Sequence, residues 1–115
     1  MPFQDACALA DLLPGARRVL RIGRADMILW NVGGAIHATA RHCPHQGFPL
    51  DSASLRGTVA TCGLHGLEFD VAAGYCLSPE GLRLRRFPVE IREGRVFVDP
   101  EGSLPTQTGP HAGAG

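Results

Sequence analysis

Cys43-Pro44-His45 and Cys62-Gly63-Leu64-His65 stand sixteen residues apart in this chain, and each offers one thiolate and one imidazole. For two side chains spaced one or two residues apart to reach a common centre, the backbone must curl, which puts them in loops rather than in regular strands. Gly47 and Gly66 follow the two pairs and let peptide N–H groups approach such a centre. The fold therefore has to carry two loops that converge. Two chemistries suit two thiolates and two imidazoles: a tetrahedral structural zinc ion, or a 2Fe-2S cluster with both imidazoles on one iron.

The remainder of the chain reads as all-β. Short apolar segments are punctuated by Gly and Pro, and no helical periodicity persists. Strands are expected at Phe3 to Ala8 and Arg17 to Ile22, with a short helical turn over Leu9 to Gly15 between them. Met27 to Val32 and Ala35 to Ala40 form a hairpin across Gly33-Gly34, a dipeptide that accepts the positive φ angles of a tight turn. Leu67 to Val71, Leu82 to Phe87, Val89 to Arg92 and Arg95 to Val98 continue the pattern, and Glu93-Gly94 supplies the last turn. The expected domain is 1–100, with a cluster-binding portion at about 41–74. Residues 101–115 carry almost nothing to bury and read as a disordered tail.

Composition narrows the functional classes. With 115 residues there is room for one domain and none for a separate catalytic one. The 11 acidic residues balance 11 basic ones, all of them Arg, so no nucleic-acid surface is expected. No apolar run approaches the ~20 residues that span a bilayer, and no membrane partner is expected. The N-terminus lacks a basic segment followed by an apolar one, so the expected compartment is the cytoplasm. There, four cysteines serve as metal ligands or buried thiols rather than as disulfides.

The stretches Cys43-Pro44-His45-Gln46-Gly47-Phe48-Pro49-Leu50 and Cys62-Gly63-Leu64-His65-Gly66-Leu67-Glu68-Phe69-Asp70 closely resemble the Rieske family, and Ala73-Gly74 with the strands at 84–89 and 96–98 extends the likeness over nearly the whole chain. The resemblance implies stacked antiparallel sheets with one 2Fe-2S cluster at the tip of a small subdomain, held by Cys43, His45, Cys62 and His65. The imidazole edges would face solvent and pass the electron. Rieske proteins of respiratory and photosynthetic membranes add a disulfide between the loops, at positions that are Phe48 and Leu64 here. They also place hydroxyls near the cluster where this chain has Leu67 and Phe69. Without those donors the extra electron is less stabilised, so the potential belongs toward the low end of the roughly −150 to +300 mV spanned by Rieske centres, and it should fall with pH on the alkaline side as the ligand imidazoles titrate.

That profile is similar to soluble ferredoxins of bacterial aromatic-ring dioxygenase systems. It implies an electron carrier without catalytic residues of its own, set between a flavin-dependent NAD(P)H reductase and a terminal oxygenase. Two other roles share the motif: a small Rieske-like subunit of a larger reductase, such as an assimilatory nitrite reductase, and a zinc-stabilised structural module. Cys7 and Cys76 have no partner by spacing and read as inert buried thiols. His42 is expected to point away from the centre, and His37 and His111 have no partner by spacing. Trp30 is expected in the core. The arginines at 83, 85, 86, 92 and 95 read as solvated charge rather than as a docking face.

Overall fold

The computed structural model describes residues 3–43, 47, 49–62, 67–78 and 82–105. Among these residues eleven strands follow in chain order: β1 (Gln4–Ala8), β2 (Arg17–Ile22), β3 (Ala25–Val32), β4 (Ala35–Ala40), β5 (Ser54–Arg56), β6 (Val59–Thr61), β7 (Glu68–Asp70), β8 (Cys76–Ser78), β9 (Arg86–Phe87), β10 (Val89–Arg92) and β11 (Arg95–Val98). A 3-10 turn at Leu9–Asp11 is the only helical element among the described residues. They form three antiparallel sheets, ordered β1-β11-β10, β2-β3-β4-β9 and β5-β6-β7-β8. The all-β expectation of stacked antiparallel sheets holds.

The β2–β4 sheet lies in the middle, and β3 shows why. Alternate residues of a strand face opposite sides, yet Met27, Ile28, Leu29 and Trp30 are all fully buried. Met27 and Leu29 join Cys7, Val96 and Val98 in a core against the β1-β11-β10 sheet. Ile28 and Trp30 join Ala60, Phe69 and Val71 in a second core against the β5–β8 sheet. A strand buried on both faces needs an unbroken apolar run, which is what 27–30 provides. The β3–β4 turn has both central residues at positive φ, 60° at Gly33 and 99° at Gly34, the geometry whose twist matches a two-residue hairpin.

Several elements depart from the sequence expectation. The helical turn is three residues rather than seven, β1 begins at Gln4, and β3 starts two residues early at Ala25. The strand expected at Leu82 to Phe87 shrinks to Arg86–Phe87, preceded by a lone bridge between Arg83 and Tyr75. Of the stretch expected as a tail, residues 101–105 are held: Leu104 N–H donates to the Arg86 carbonyl at 2.9 Å, and the Arg86 side chain reaches the Pro105 carbonyl. Residues 106–115, with His111, lie outside the described residues.

Candidate metal centre

The first loop leaves β4 and is closed at its base by backbone pairing. Leu50 N–H donates to the Arg41 carbonyl at 2.7 Å, and His42 bridges Pro49. Inside that base, Gly47 N–H donates to the Cys43 carbonyl at 2.7 Å, with Gly47 at φ 74°. The tight return this makes beside Cys43 uses a backbone conformation open to glycine and strained for other residues. The second loop is the end of the β6–β7 hairpin: Thr61 pairs with Glu68, and Cys62 N–H donates to the Leu67 carbonyl at 2.8 Å.

Cys43 and Cys62 are 2% and 5% exposed and belong to one apolar cluster with Trp30, Leu50, Leu67 and Phe69. Both are free of disulfides. Two thiols brought into one core cluster by two separate loops are a donor set that fits an iron–sulfur group, whose irons take cysteine sulfur as ligand. His45 and His65 lie outside the described residues, and among the described residues no third His, Cys, Asp or Glu joins these two as a metal-binding group.

A polar frame that the spacing did not reveal supports the first loop. Arg41 grips Asp51 with two parallel bonds, Nε to Oδ1 at 3.0 Å and Nη2 to Oδ2 at 2.8 Å. This holds the Asp51 carboxyl below its ordinary range. Arg17, from β2, donates through Nη1 to the carbonyls of Leu50 at 3.3 Å and Asp51 at 3.0 Å, and its guanidinium lies 4.7 Å over the Trp30 ring. Burial lowers the Arg17 pKa, partly offset by Asp51. Trp30 in turn donates Nε1–H to the Thr39 hydroxyl at 2.9 Å. At the opposite end of the β6–β7 hairpin, the Asp70 carboxylate accepts from the Thr58 hydroxyl and from the amides of Ala72 and Ala73 at 2.9–3.0 Å, which fixes the turn after β7.

Of the remaining residues singled out from the sequence, Cys76 is buried in the same apolar cluster as Cys43 and Cys62, and the others fall elsewhere. His42 is exposed, as expected for the neighbour of an inward-facing cysteine, and His37 on β4 is half-buried. Cys7 and Cys76 are buried, and burial pushes the Cys7 thiol up. The arginines expected as free surface charge are mostly engaged. Arg85 stacks on Phe87 and bonds Ser103, Arg92 meets Glu90 and Phe97, Arg95 pairs with Asp5, and Arg86 is buried.

Residues 3–88 match the family model for the Rieske [2Fe-2S] domain. The chain is 39% identical over 97 residues to ferredoxin CarAc of Metapseudomonas resinovorans, covering 83% of this chain and 91% of that one. It is 32% identical to the ferredoxin component of the alkene monooxygenase system of Xanthobacter autotrophicus, covering 86% and 82%. It also superposes, with a TM-score of 0.81 and 36% identity over 89% of this chain and 96% of the other, on a chain in the solved complex of reduced oxygenase and oxidized ferredoxin in carbazole 1,9a-dioxygenase. Family model, relatives and fold agree: the chain belongs to the Rieske [2Fe-2S] family and carries one Rieske-type 2Fe-2S cluster.

Proposed function

We propose that this chain is the ferredoxin component of a multicomponent oxygenase of aromatic-ring dioxygenase type. It takes single electrons from a flavin-dependent NAD(P)H reductase and passes them to a terminal oxygenase. One observation carries this reading: the likeness to ferredoxin CarAc spans 91% of that relative, so it covers a whole carrier rather than a cluster module inside a larger enzyme. The working unit is residues 1–100, with the centre in 41–74, and its place is the cytoplasm.

Cys43, His45, Cys62 and His65 are the proposed ligands, and the cluster they would hold would supply one-electron storage and release. The chain's own residues set the terms. Leu67 and Phe69 are buried and apolar, so they exclude water from that side and offer no hydroxyl to stabilise a reduced centre, which keeps the potential low. Arg17 and the Arg41–Asp51 pair tie down the base of the first loop. A loop held on both sides rearranges little when charge is added, and a small rearrangement favours fast transfer.

Electron paramagnetic resonance of the anaerobically purified, dithionite-reduced protein tests the centre. A rhombic signal of Rieske type is expected, and silence with stoichiometric zinc would overturn the reading. For the role, the reduced protein should be reoxidised on mixing with a Rieske-type terminal oxygenase. Stable co-purification with a large reductase subunit would instead make it a subunit of that enzyme.

A further inference from the structure

A cavity of about 120 Å³ lies beside the short strand β9, walled by Ile36, Phe87, Val89 and Leu104 and lined on its polar side by His37 and Arg86. Arg86 is 7% exposed. Its stem packs on Gly74, where an added Cβ would stand 3.2 Å from Arg86 Cγ. The guanidinium donates Nη2–H to the Pro105 carbonyl at 2.6 Å, while Nε is buried without any hydrogen-bond partner. Among the described residues no carboxylate pairs with it. Asp70 is the acidic group whose field reaches Arg86, but its oxygens are occupied by Thr58, Ala72 and Ala73. Residues 106–115 contain no Asp or Glu.

A buried cation with an unsatisfied donor beside an open cavity is unfavourable unless something negative shares the space. We infer that this cavity is a binding site for a small monovalent anion, of halide to carboxylate size, held by Arg86 and His37 and separate from the metal centre. The volume is several times the ~30 Å³ share of one water in the liquid, enough for a halide, formate or acetate. A single guanidinium does not balance a dianion. Burial first, and then Arg86, hold the His37 imidazole below its ordinary pKa, with Asp70 opposing. The ring is therefore a neutral partner near pH 7, able to donate one N–H.

The test uses the cluster-loaded protein and bromide, replacing gluconate at constant ionic strength and pH 7.5. The melting temperature should rise with the logarithm of bromide once the site is filled, and the response should vanish in Arg86→Met. Formate in place of bromide, giving the larger rise, would make the occupant a carboxylate rather than a halide. Because Arg86→Met can fail to fold, crystals of the unaltered protein soaked in bromide supply an independent reading. An anomalous peak within hydrogen-bond distance of the guanidinium is expected. Equal melting in the two salts, or a cavity holding only water or residues from 106–115, overturns the proposal. So does a bromide peak without a saturable thermal response, which would mean binding at crystal concentration only.

Discussion

Replacing Arg17 with Gln removes a stacking contact and two hydrogen bonds in one step. The guanidinium lies 4.7 Å over Trp30, a cation–π contact of ~1 kcal/mol for a partly desolvated pair. Its bond to the Asp51 carbonyl at 3.0 Å is well formed and that to Leu50 at 3.3 Å is long, so the two together contribute ~2 kcal/mol as bonds from a charged donor. Water recovers part of this at half-buried Asp51. At Leu50, which is fully buried, the carbonyl loses a partner that water replaces poorly. The net loss is ~2–3 kcal/mol, or roughly 8–12 °C in melting temperature at about 4 °C per kcal/mol for a domain of this size. Arg17→Lys retains the charge but not the planar stack or the fork, and should recover less than half of the loss. Circular dichroism melts of cluster-loaded protein under argon, with visible absorbance followed in parallel, give the comparison. An Arg17→Gln melt within about 2 °C of the parent would show that the frame beneath the first loop contributes nothing, and would refute the reasoning.

Asp51→Asn should destabilise the protein by ~1 kcal/mol at pH 7, the scale of a half-exposed bidentate pair. The folded-state pKa of Asp51 is depressed, chiefly by its bond to Arg41, so this stability is present above the unfolded value near 3.9 and disappears as pH falls through the folded value. Parent and variant urea curves should therefore converge at low pH, and a gap that persists there would contradict the assignment. Gly74→Ala combines a φ of 82° with a Cβ 2.9 Å from the Leu84 carbonyl and should cost ~3 kcal/mol. Gly33→Ala also has positive φ but open space around it, and should cost only ~1 kcal/mol in the same denaturation assay. Leu67→Ser would place a hydroxyl beside Cys62, and a redox titration should show the potential rising by tens of mV, on the order of one hydrogen bond's worth for a one-electron couple.

The strands that the sequence made legible are those whose pattern is local. β2, β4, β10 and β11 have the expected limits because alternation and the Gly33-Gly34 and Glu93-Gly94 turns mark them without reference to distant residues. β5, β6 and β8 went unseen. Ser54-Leu55-Arg56, Val59-Ala60-Thr61 and Cys76-Leu77-Ser78 are three residues each, too short for alternation to register, and they exist because each completes a neighbour's ladder. In the other direction, Leu82 to Arg85 reads as strand but mostly bridges the β5–β8 sheet and the middle sheet, bonding 74, 76 and 40.

Cys43 and Cys62, which share one buried cluster, could be singled out in the sequence because ligand chemistry restricts spacing. The frame around them could not, since Arg17 meets Leu50 and Asp51 only after β2 pairs with β3 in the register that sets it opposite Trp30. Arg41 and Asp51 pair across the base of the first loop, and nothing in the spacing of the ligand pairs pointed to them. Arg86 was misread as solvated charge for a related reason. It stands at a sheet edge, and nothing nearby in sequence announces that Gly74 and residues 104–105 close over it.

The sheet β5–β8 is built wholly from residues 54–78, each strand pairing with its chain neighbour, whereas β1 pairs with β11 across some ninety residues. Loop-closure entropy makes those two kinds of pairing separable events. Three-residue ladders can open and reclose without disturbing the long-range closure that holds the other two sheets. Because the proposed ligand Cys62 directly follows β6 of this sheet, iron and sulfide can be admitted there by local opening in an already folded protein. Amide hydrogens of β6 and β7 should exchange faster than those of β3 before the metal is inserted, and that difference should narrow once it is in place.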